Sequence, residues 1–215
     1  MRIEFIFAYV STSSVLLPLG LSIFQFNKLK GSALYLFYLL IGSFLADVAS
    51  YFLSRNAVNT YWIANGYLLF QFIFLAVIYY AEFNNSKLIK GIIFLFVVFF
   101  FCNLLAVQGL FVFNTYSNSI AGLILIAISL YYFYFLLHHL PQEDIYKIPL
   151  FWISFSVLFY YGGTLILFLT NNFFVSKFVQ SLRLVWILHN FCNIVKNLLF
   201  TIALWHNYRN LKLSL

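Results

Sequence analysis

"WILHNFCNIVKNLLFTIALW", residues 186–205, is mostly apolar and twenty residues long, the length that crosses a hydrocarbon core of about 30 Å. Yet His189, Asn190, Asn193, Lys196 and Asn197 stand inside it. A lysine at the centre of a spanning helix costs roughly 2.5–3.5 kcal/mol on insertion scales. A helix carries such groups by turning them toward a bundle interior or a wet cavity. Relative to His189, a rotation of about 100° per residue brings Lys196, Asn193 and Trp186 within about 60°, and Asn197, Asn190 and Thr201 within about 120°. Leu188, Val195, Leu198 and Leu199 fall on the other side and read as the lipid face. The segment is therefore expected to span the membrane with its polar arc inward. Two roles fit that arc. It lines a ligand or ion cavity, or Lys196 snorkels to the interface while the asparagines bond neighbouring helices.

The rest of the chain supports a membrane setting. Of 215 residues, 64% are hydrophobic and only 8% charged, with 29 Phe and 16 Tyr. Soluble domains carry about 25% charged residues, so this chain could not solvate its own surface. The net charge of +7 would suggest nucleic acid in a soluble protein. Here the cations sit in short breaks between apolar runs, where they orient the chain and meet anionic headgroups. Nucleic acid is excluded as a partner. Cys102 and Cys192 lie in apolar segments without CxxC spacing, and read as small core residues. The first apolar run has no small-residue cleavage site after it and reads as a retained helix.

Apolar runs of spanning length fall at 4–26, 32–54, 61–81, 91–107, 118–140, 150–171 and 183–205. The sequence thus predicts an all-α, polytopic protein with one domain, residues 1–215, of seven transmembrane helices. The breaks carry charges or turn formers: NKLKG at 27–31, RNAVNT at 55–60, EFNNSKLIK at 82–90 and PQEDIYKIP at 141–149. The break at 108–117, QGLFVFNTYS, is uncharged and aromatic. With the N-terminus outside, the cytoplasmic side holds Lys28, Lys30, Lys87, Lys90, Lys147, Arg209 and Lys212, against Arg2, Arg55, Lys177 and Arg183 outside. The positive-inside rule favours that orientation, with the C-terminus in the cytoplasm.

Asp47 is the only acid well inside a predicted span, and an intramembrane acid is a functional candidate by default. At about 1.5 Å per residue, Asp47 and His189 lie at similar depth, roughly 10 Å from the outer end. They could bond directly or through one water. Gln71, Tyr160, Tyr161 and Asn193 fall near the midplane, with Lys196 closer to the cytoplasm. The sequence predicts a central polar column between the second, third, sixth and seventh spans, drawn from Asp47, Gln71, Tyr160, Tyr161, His189, Asn193, Lys196 and Asn197. No metal set is read: His138 and His139 are adjacent, so they point about 100° apart on a helix. Pro18 predicts a kink in the first span, and Gly162–Gly163 a close helix approach or a kink.

A repeat also lies in this layout. "ALYLFYLLIGSFLADVASYFLSRN" at 33–56 aligns without gaps with "PLFWISFSVLFYYGGTLILFLTNN" at 149–172, and "YWIANGY" at 61–67 meets "VWILHNF" at 185–191. The same offset sets the first span over the fifth and leaves the fourth as a linker. Seven spans in a three-plus-one-plus-three parallel repeat resemble the PQ-loop and SWEET-type superfamily. That resemblance implies a site near the midplane between the copies. "WIANGYLLFQFIFLAVIYY" (62–80) and residues 186–205 are also similar to stretches of uncharacterised bacterial seven-helix proteins, some joined to signalling domains. This implies a sensor module in the plasma (inner) membrane.

Two classes of function follow. One is a transporter that binds a small polar or anionic solute, with Lys196 as the cation and Asp47–His189 as a proton relay. The other is a receptor-like sensor acting through a signalling partner or a second copy of the chain. An intramembrane hydrolase is disfavoured by the lack of HExxH, nucleophile elbow or carboxylate pair. A lysine midway along the seventh span resembles a retinal protein, with Lys196 as the Schiff-base amine. Against that, the third span has no internal carboxylate and no acid lies near Lys196 on its own helix. No cofactor is identified.

Overall fold

A computed structural model describes residues 3–83, 87–139, 144–177 and 179–213. Residues 84–86 and 140–143, within two of the charged breaks, lie outside the described residues, as do Arg2 and the side chains of Lys177, Arg183 and Lys212. Seven helices among the described residues are long and apolar enough to cross a membrane, and the chain is an integral, multi-pass membrane protein. In lipid this is the expected solution, because a helix satisfies its own backbone polar groups where water cannot.

The first span is two helices, α1 (Ile3–Ser14) and α2 (Leu16–Phe24). The break at Val15 has a local cause. Pro18 has no N–H to give the Ser14 carbonyl, and its ring crowds that turn. The remaining spans are α3 (Ser32–Arg55), α4 (Tyr61–Glu82), α5 (Lys87–Ala106), α6 (Thr115–His138), α7 (Pro149–Lys177) and α8 (Val179–Leu213). The apolar spanning portions of the last two are Pro149–Thr170 and Leu184–Asn210. Gly31, with φ +54°, makes the turn into α3, a backbone region open mainly to glycine.

The packing order defines a ring. The first span packs on α3, α3 on α4, α4 on α6, α6 on α7, α7 on α8, and α8 returns to α1 and α2. The fourth span, α5, stands outside this ring and touches α4 and α6. Two close approaches fix neighbours. A Cβ on Gly42 of α3 would run into the Phe70 ring of α4, and one on Gly163 of α7 would stand 2.7 Å from Cys192 Sγ of α8. Gly163 therefore serves close approach, whereas a Cβ on Gly162 would meet nothing within 4 Å, and α7 runs unbroken through both.

The uncharged break at 107–114 is held by amides in place of charges. Asn65 Nδ2 donates to the carbonyls of Leu110 (2.8 Å) and Val112 (2.9 Å), and Asn59 Nδ2 donates to that of Phe111 (2.9 Å). Asn103 Nδ2 donates to Gln108 Oε1 (3.1 Å) and Ser117 Oγ (2.9 Å), tying the ends of α5 and α6. Two expectations need correcting. Cys102 is exposed on α5 and is no core residue, whereas Cys192 is buried. Leu199, read as lipid-facing, is buried, because α8 packs along α7 on one side and the first span on another.

Candidate functional site

The lysine of α8 points inward. Lys196 is 5% exposed, and its ammonium sits 4.4 Å from the centre of the Tyr160 ring of α7. A desolvated cation on an aromatic face gains up to about 2 kcal/mol, which offsets part of the cost of burying it. The helix pair is closed beside it by Ser156 Oγ, which donates to the Lys196 carbonyl at 3.1 Å. Leu188, Phe191 and Leu198 are exposed on the opposite face of α8, so polar and lipid sides are segregated.

Tyr160 joins the lysine to the histidine. Its hydroxyl and His189 Nε2 are 3.0 Å apart, with either group able to donate according to the imidazole tautomer. His189 is walled by aromatic edges: Tyr160 at 5.8 Å, Phe168 at 6.1 Å and Trp186 at 5.1 Å between ring centres. Phe113, from the 107–114 loop, packs on Phe168 and Trp186 at 6.1 and 6.3 Å. That loop therefore lies over the end of the column near His189, opposite the side toward which Lys196 is set.

Asp47 comes from α3, across the ring. It is half-buried and lies within electrostatic range of Lys196, Tyr67 and Tyr160. Among the described residues, neither Asp47 nor Lys196 is in direct ion-pair contact. His189 Nε2 is bonded to Tyr160, and Asp47 and His189 are not in direct contact as an ion pair among the described residues. Tyr161 is buried beside Tyr160 and packs toward Gly122 of α6. Its hydroxyl, like His189 Nδ1, is buried without a hydrogen-bond partner among the described residues. Gln71 is buried on α4, one turn beyond Tyr67.

Asp47, Tyr160, Tyr161, His189 and Lys196 are thus gathered on inward faces of α3, α7 and α8. Asn193 and Asn197 turn elsewhere. Asn193 Nδ2 donates to Ser11 Oγ (2.9 Å) and Asn197 Nδ2 to Ser14 Oγ (2.8 Å), both on α1. Their amides join the seventh span to the first, as polar groups between membrane helices commonly do. Reasoning from sequence passed over four contributors. Ser11 and Ser14 were visible as a small-polar run, STSS at 11–14, in an apolar span. Tyr67, four residues before Gln71, shares its face. Phe113 carries no such signal.

The arrangement sets an ammonium, a carboxylate, an imidazole and phenol groups toward one interior, with the Tyr160–His189 hydrogen bond among them. It has no cluster of three metal-ligating side chains among the described residues. Comparison with protein-family models, curated proteins and solved structures gave no match.

Proposed function

We propose that the interior of α3, α4, α7 and α8 binds a small polar or anionic solute and carries it across the membrane, with Lys196 as the cation that holds it. One observation carries this reading: Lys196 is buried inside the ring, on an aromatic face, and makes no ion pair among the described residues. A structural lysine is expected to be paired or to reach the interface. One held apart from its acid leaves the ammonium free for an anionic group, with Asp47, Tyr160 and His189 as a route for protons.

The same reading includes the N-terminus outside and the C-terminus in the cytoplasm, on the loop cations. It also includes the three-plus-one-plus-three repeat of the PQ-loop and SWEET-type proteins. The helix order supports the repeat, since the two triplets follow one another round the ring and the fourth span lies outside it. The chain's single Pro-Gln pair, Pro141–Gln142, precedes the sixth span in the break at 141–149.

The test is uptake into proteoliposomes of labelled monocarboxylates, dicarboxylates, inorganic phosphate and neutral amino acids. At least one anion class should accumulate above protein-free vesicles, and Lys196→Met should cut that uptake at least about tenfold, a loss of about 1.4 kcal/mol of anion binding. The same variant should unfold no more easily than the parent, since it removes a buried charge. Uptake by neither protein, or a Lys196→Met protein that transports normally, would end this reading.

A further inference from the structure

Where α5 stands off from the ring, a groove of about 1130 Å³ separates it from α6. Its floor is buried Phe96 and Ile128, and its rim is exposed Leu88, Leu95 and Tyr131, so it opens sideways, away from the polar column. Both walls are spanning helices. Along α5 the lining runs from Lys87 to Phe99, roughly 18 Å at 1.5 Å per residue. That is close to one leaflet of a core about 30 Å thick. At its polar end the lining changes character: Glu82 from the end of α4 and Lys87 from the start of α5 stand together there. Lys90, one turn on, is turned away onto the Tyr80 ring at 5.1 Å.

We infer that this groove binds one phospholipid with a primary-amine, ethanolamine-type headgroup. Its acyl chains lie along α5 and α6, its phosphate meets Lys87 and its ammonium meets Glu82. Two features select this occupant. The groove is apolar for one leaflet's depth and ionic only at its end, the pattern of a lipid. The end offers one charge of each sign, which matches a zwitterion. Extended acyl chains fill the groove and restore the contacts that α5 and α6 do not make with each other.

The experiment uses the full chain in detergent, exposed to equal amounts of phosphatidylethanolamine, phosphatidylcholine and phosphatidylglycerol, with retained lipid read by native mass spectrometry. One phosphatidylethanolamine should be retained in preference to phosphatidylcholine by about fivefold, the scale of one interfacial ion pair. Glu82→Gln should erase that preference while leaving total retained lipid unchanged. Ala127→Trp, on the lining, should lower retention of all three lipids, with thermal unfolding of the variant confirming that it folds. Equal retention of the three lipids, or a Glu82→Gln protein with its preference intact, would overturn the headgroup assignment. Unchanged retention in a folded Ala127→Trp protein, or a dimer that this substitution splits, would overturn the site.

Discussion

The fourth and seventh spans solve opposite problems. Helix α5 has the highest mean hydropathy of the seven spans and stands outside the ring. Helix α8 has the lowest, and packs on α7, α1 and α2. In water the most apolar helix would be the most buried. In a bilayer the lipid tails are as apolar as leucine, so hydrophobicity gives a helix no reason to seek protein. Close packing and polar groups draw helices together. What pulls α8 inward is what made its sequence look costly: Lys196 on Tyr160, His189 bonded to Tyr160, and two asparagines on the serines of α1.

The largest break in that contrast should come from the residue that α8 leans on. Tyr160→Ala removes the ring beneath Lys196 and the partner of His189, and should cost about 3–5 kcal/mol, the range for truncating a buried aromatic. Tyr160→Phe keeps the ring and loses only the hydroxyl, so its cost should stay near 1–2 kcal/mol. Unfolding of both variants in the same micelle measures the gap. Similar losses would mean that the ring under the ammonium contributes nothing.

Next comes the α7–α8 approach at Gly163. An added Cβ must displace Cys192 Sγ, now 2.7 Å from where it would sit, so Gly163→Ala should cost about 1–3 kcal/mol as overpacking does. Cys192→Ala in the same chain should recover most of it. A double variant as unstable as Gly163→Ala alone would show that the glycine is needed for some reason other than space. Smaller again are the amide links. Asn193→Ala and Asn197→Ala should each cost about 0.6–2 kcal/mol, and each loss should vanish when its serine, Ser11 or Ser14, has already been replaced by alanine.

How much of this was legible follows from the same physics. The spans could be read because lipid demands about twenty apolar residues whatever the fold. The inward turn of Lys196 could be read because a charge facing lipid is costly. The ring order could not, because no residue pattern names a neighbour when all lipid-facing surfaces are alike. For the same reason Leu199 was read on the wrong side: a leucine against α7 or α1 looks no different from one against an acyl chain. Asn193 and Asn197 shared an arc with Lys196, yet an asparagine takes whichever donor or acceptor is nearest. The serines of α1 were nearer than the column. The loop at 107–114 was obscure because amides, not charges, hold it.

The smallest effect is the one that tests the contrast most directly. Leu105 is 83% exposed on α5, and Leu95 and Phe94 are nearly as open. Leu105→Ala exchanges a leucine among lipid tails for an alanine among lipid tails, so it leaves no cavity and loses no protein neighbour. Its cost should lie within about 0.5 kcal/mol, the range of surface changes away from specific features. Leu199→Ala on α8 makes the same chemical change at a buried site, where the surrounding side chains cannot all close in. It should cost about 2–5 kcal/mol. Both proteins can be compared by thermal unfolding in one lipid–detergent mixture. If Leu105→Ala destabilised the protein as much as Leu199→Ala, the outward face of α5 would be packed against protein and not lipid. The helix would then belong to an interface between copies of the chain, and its high hydropathy would need another explanation than solvation by the bilayer.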